Sequence, residues 1–105
     1  MHVRTTPLPP VDIVKAAAVR LAPLLMRAGL NVTVNSAGVV EARNPCDVRM
    51  RQPLVLREHQ SALWWHWQWS GPTRDASPEY EPMVPVDDVE EAARRIINVL
   101  TVAGS

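Results

Sequence analysis

Among the side chains able to do chemistry, His66 has the most suggestive setting. It lies inside ALWWHWQW, residues 62–69, which holds all four tryptophans of the chain. An imidazole between indoles can titrate near neutral pH and act as acid, base or ligand. The remaining reactive groups are few. His2 falls in a proline-rich start, His59 in an expected turn, and Cys46 is the single cysteine. Cys46 sits on the apolar side of an alternating run, where a thiol packs as a small hydrophobe. Asp75, Glu79 and Glu81 surround Tyr80 in a long polar stretch. No two of these groups have metal-ligand spacing. The glycines, at 29, 38, 71 and 104, build no phosphate loop. A small enzyme with a site between His66 and the 75–81 segment is therefore the weakest reading. The chain is expected to use no catalytic residue, no cofactor and no metal.

The tryptophans divide by alternation. Leu63, Trp65, Trp67 and Trp69 point one way along a strand, and Trp64, His66 and Gln68 the other. The wholly apolar side is expected to be core. Trp64 then lies on an open sheet face with candidates from the other strands: Asn31, Thr33, Glu41, Arg43, Arg49, Arg51 and Arg57. Arginine stacks on indole, and both residues are enriched at interface hot spots. The expected binding residues are therefore Trp64, His66, Arg43, Arg49, Arg51 and Arg57, with Tyr80 contributed by a neighbouring loop.

These residues need elements to position them. Residues 1–10 hold Pro7, Pro9 and Pro10 and are expected to form an extended arm. A helix is expected over 11–28, with Asp12 as N-cap, Gly29 just past its end, and Pro23 on the solvent side. Its core stripe is Ile13, Ala17, Leu21, Leu24, Leu25 and Ala28. Val19 and Met26 fall outside that stripe and suit a second layer or subunit. Alternation predicts strands over 30–34 and from 39 onwards, joined by a turn at Asn35–Gly38 and split at Pro45. A further turn is expected at 58–61, before the tryptophan strand. Residues 70–85 contain four prolines and read as a long loop. A final helix over 88–102 buries Val89, Ala93, Ile96, Ile97 and Leu100. Asp87 and Glu90 have capping-box spacing, and Glu90–Arg94 and Glu91–Arg95 are i,i+4 pairs.

The expected fold is α+β: a two-layer sandwich in the order α-β-β-β(-β)-α. An antiparallel sheet of three or four strands carries both helices on one face. Residues 11–103 form one domain after the arm. The order resembles that of double-stranded-RNA-binding domains. That resemblance implies basic residues at the start of the last helix, to reach phosphates. Here Asp87, Asp88, Glu90 and Glu91 stand there instead. The order also resembles small secretion-chaperone-type folds, which dimerise and hold extended segments.

Lys and Arg together number 11, as do Asp and Glu, so no net field draws the protein to nucleic acid or membrane. Lys15 is the only lysine, and the abundance of Arg, Ala and Val suggests a GC-rich bacterial genome. A lone cysteine suits a reducing compartment. No signal-peptide pattern opens the sequence, so a cytoplasmic location is expected. The expected function is a non-enzymatic protein-binding or regulatory module. It would act as a homodimer through the open sheet face or the first helix, without membrane contact. A single-stranded nucleic-acid binder using Trp64 and the sheet arginines is the alternative.

Overall fold

A computed structural model describes residues 9–69 and 75–101. The elements are α1 (Val11–Arg27), β1 (Asn31–Val34), β2 (Val40–Asn44), β3 (Asp47–His59), β4 (Ala62–Trp69), β5 (Glu79–Pro85) and α2 (Val89–Thr101). The strands form one antiparallel sheet in sequence order, β1-β2-β3-β4-β5. Both helices cover the same face, and the α+β class holds. Residues 1–8 of the arm expected over 1–10, the segment 70–74 and the last residues, 102–105, lie outside the described residues.

The sheet has five strands rather than three or four. The extra one, β5, falls inside the stretch expected to be a loop. Pro82 and Pro85 hide its alternation, and both are tolerated because β5 is an edge strand. Tyr80 is consequently a strand residue, paired with Gln68.

The core is one cluster. Val14, Ala18, Leu21 and Leu25 of α1 and Ala92, Ala93, Ile96 and Leu100 of α2 pack on Val40, Ala42, Leu54, Leu56, Trp65, Trp67 and Val84. The buried face of α1 is rotated from the expected stripe: Ile13 is 45% exposed, and Ala28 is exposed. Val14 and Ala18 take the inward positions, where the small alanine admits the sheet closely. Pro23 faces solvent as expected. Asp12 lies within the first turn, and Pro10 occupies the cap without a side-chain bond.

The exit from α1 follows its sequence. Gly29 takes φ +87°. Its N–H donates to Met26 C=O at 2.9 Å, and Leu30 N–H donates to Leu25 C=O at 3.0 Å. This is the paired closure that a left-handed glycine allows. At the other turn, Asn35 Oδ1 accepts from Ala37 and Val39 N–H at 2.9 Å each.

At α2 the capping box does not form, because the helix begins at Val89 and Asp87 lies one residue before the cap; its carboxylate accepts from Arg20 of α1 at 3.3 Å. Glu91 instead gathers both arginines, Arg94 and Arg95. Their hydrogen bonds hold its carboxyl down to about 2. Asn44 Nδ2 donates to Leu100 C=O at 3.1 Å and ties the end of α2 to β2.

Candidate functional site

The open face of the sheet carries the residues singled out by sequence, in two separate groups. The first centres on β4. β3 runs to His59, and the turn shrinks to Gln60–Ser61, both at positive φ, 54° and 67°. This two-residue hairpin makes His59 a strand residue rather than a turn residue, and lays it over Trp64. Their rings meet edge-on with centroids 4.8 Å apart. Trp64 is half-buried, not an exposed ring.

Arg57 faces Trp64 across the β3–β4 ladder, and Tyr80 faces Gln68 across the β4–β5 ladder. The Arg57 guanidinium lies over the Tyr80 ring, 4.4 Å from its centroid. That contact crosses β4 midway between Trp64 and Gln68, which is the position of His66. His66 is 5% exposed although it lies on the sheet face without helices, between its ladder partners Val55 and Pro82. Its Nδ1 donates to Trp64 C=O at 3.0 Å, leaving Nε2 unprotonated in the neutral ring. Burial pushes the His66 pKa below its ordinary 6.5, and the Arg57 and His59 charges act in the same direction. The Trp64 carbonyl bond opposes them. Among the described residues no side chain hydrogen-bonds His66.

The second group lies at the far end of β3. Arg43 of β2 and Arg51 of β3 are direct partners across the ladder. Together with Asn44 and Pro45 they line a recess of about 210 Å³. Glu41 stands 3.9 Å from Arg43. Arg49 does not join them. Its guanidinium turns back to Asp47 at 3.2 Å, and their hydrogen bond lowers the Asp47 pKa and raises that of Arg49. The separation from Arg51 to Arg57 is roughly 20 Å at about 3.3 Å per residue. The sheet arginines are thus not one continuous patch.

Two other expectations are corrected. Cys46, expected on the buried side, is exposed in the Pro45–Cys46 turn, because the chain leaves the ladder there. Trp69, expected in the core, is 38% exposed at the strand end. It stacks on Trp67 at 5.9 Å and donates from Nε1 to Glu81 at 3.0 Å. Gln52 is a buried polar residue that alternation did not flag. Its Nε2 donates to the Gln68 and Pro53 carbonyls, 3.0 Å each.

A different surface emerges at the other end of the sheet. Val19 is 69% exposed and Met26 62% exposed on the flank of α1. Beside them a groove of about 310 Å³ runs between α1 and β1, lined by Lys15, Ala18, Val19, Ala22, Val32 and Val34. The sequence marked Val19 and Met26 as outside the core stripe. It did not show that Val32 and Val34 would stay half-buried beside them.

Among the described residues no three His, Cys, Asp or Glu side chains are grouped to hold a metal ion. No described helix is long and apolar enough to cross a membrane. Comparison with protein-family models, curated proteins and solved structures found no match.

Proposed function

We propose that this protein is a non-enzymatic protein-binding module that works as a homodimer, with the first helix making the contact. The observation that carries this reading is the flank of α1. Val19 and Met26 are its most exposed large hydrophobics, at 69% and 62%, and Val19 lines a mainly apolar groove between α1 and β1. Single exposed apolar residues are ordinary, whereas a contiguous apolar strip beside a groove marks an interaction surface. The open sheet face is less suited to the role. Its rings and cations already contact one another: His59 on Trp64, and Arg57 on Tyr80. A cytoplasmic location is part of the same proposal and rests on the single cysteine.

Light scattering behind size exclusion tests it, with wild type, Val19→Glu and Trp64→Ala at low and high salt. The expected result is a wild-type dimer in both salts, a folded Val19→Glu monomer, and a Trp64→Ala dimer. A wild-type monomer would overturn the reading. A dimer lost in Trp64→Ala and kept in Val19→Glu would move the contact to the open face.

One observation favours the second reading, single-stranded nucleic acid: two arginines directly opposed with a recess between them. Quenching of tryptophan fluorescence by an oligothymidylate, weakening steeply with salt, would support it. The balanced charge of the chain speaks against it.

A further inference from the structure

β1 is an edge strand, and its ladder with β2 determines which of its backbone groups are left over. Asn35 N–H donates to Val39 C=O at 3.0 Å, so the 35–39 rung is hydrogen-bonded. Rungs alternate in an antiparallel ladder. Thr33–Glu41 and Asn31–Arg43 are therefore bonded rungs, and Val32–Ala42 and Val34–Val40 are not. The N–H and C=O groups of Val32 and Val34 point away from β2. Among the described residues no backbone or side-chain group meets them.

These outward groups are symmetric about Thr33. A second β1 running antiparallel places Val32 against Val34 of the second copy, and Val34 against its Val32. All the outward groups of the two valines are then satisfied. Thr33 faces Thr33 of the second copy on the open side, a favourable cross-strand pair. The valine side chains continue as one apolar row on the helix side.

The helix agrees with this axis. The groove sets Val32 and Val34 beside Lys15, Ala18, Val19 and Ala22. A twofold axis through Thr33 thus passes α1 close to Val19. Lys15, Val19, Ala22 and Met26 recur at helical spacing along that flank, and antiparallel α1 helices would bring the Val19 flanks of the two copies together. The β1 edge is also unguarded. NVTV holds neither charge nor proline, whereas the β5 edge holds Pro82 and Pro85. Edges not meant for pairing are usually blunted by such residues.

Resting on the homodimer reading, we propose that the second copy joins by pairing β1 with β1 about Thr33. The two sheets become one continuous sheet, with the α1 helices antiparallel across the axis.

The test is Thr33→Cys in a Cys46→Ser background, since Cys46 is exposed and would cross-link on its own. Opposed residues on a non-bonded rung have Cα atoms about 4.5 Å apart, within disulfide range. The expected result is a near-complete disulfide dimer on mild oxidation, with none for Glu41→Cys one strand further in. In wild type, the Val32 and Val34 amides should exchange slowly at high protein concentration and quickly in monomeric Val19→Glu. A dimer with neither the cross-link nor the amide protection overturns this pairing and leaves the homodimer reading standing. A wild-type monomer overturns both. Amides protected in the monomer would mean that the edge is covered from within the chain, which also overturns the pairing. The exchange measurement needs no cysteine variant and decides the matter if Thr33→Cys does not fold.

Discussion

The Arg57 guanidinium sits 4.4 Å from the centre of the Tyr80 ring and so joins β3 to β5 over the top of β4. Neither residue neighbours the other in the sheet. Their contact passes over the strand position of His66, which is 5% exposed between its ladder partners Val55 and Pro82.

This burial makes His66 a source of pH-dependent stability. Its folded pKa lies below the ordinary 6.5, chiefly through burial. The unfolded chain therefore binds the extra proton first as pH falls. The stabilising contribution is complete above about pH 6.5. It is lost progressively as pH falls from there through the lower folded value. Thermal melts between pH 7.5 and 4.5 should show Tm dropping across that interval, and His66→Gln should flatten the drop. Tyr80→Ala, by removing the contact over β4, should bring the His66 pKa back towards 6.5 in an NMR titration.

Adjacent tryptophans should differ sharply. Trp65 is completely buried beneath the helices, and Trp64 is half-buried on the open face. Trp65→Ala should cost about 3–5 kcal/mol in urea unfolding. Trp64→Ala should cost about 1–2 kcal/mol, since half-burial carries about half the transfer gain. Equal costs would contradict the burial seen here.

The Gln60–Ser61 turn is open to improvement. Both residues hold positive φ, 54° and 67°, which side chains with a Cβ adopt at a cost. Hairpin turns of this kind favour Asn-Gly. The double substitution Gln60→Asn, Ser61→Gly should stabilise the fold by about 1–2 kcal/mol, read as a higher urea midpoint with an unchanged m-value. A loss of stability would mean that the present side chains make contacts outweighing the backbone strain.

Arg43 and Arg51 are like charges on one rung. Arg51→Glu converts repulsion to attraction and should stabilise by about 0.2–1 kcal/mol at low salt, less as salt screens the pair. Melts at two ionic strengths check it. If the nucleic-acid reading were right, the same variant would lose most of its oligothymidylate affinity.

Local patterns in the sequence determined much of this protein. Alternation at Val32–Val34, Val40–Ala42 and Trp65–Trp67 assigned the inward faces, because side-chain direction in a strand has a period of two whatever its neighbours are. Gly29 marked the end of α1, because left-handed backbone selects glycine. The α+β class and the helices on one face followed from these signals. Tertiary structure decided the rest. β5 became a strand only because β4 offers it an edge to pair with, which no local propensity in a proline-rich segment encodes. Ile13 lost its expected place to Val14 because the rotation of α1 depends on which residues let the sheet approach. His59, Tyr80 and Arg57 converge on His66 through the register of three strands. The arginines stay apart because Arg49 pairs with Asp47 and five residues of β3 separate Arg51 from Arg57. Register and pairing join residues far apart in the chain, and a reading of one segment at a time holds no information about either.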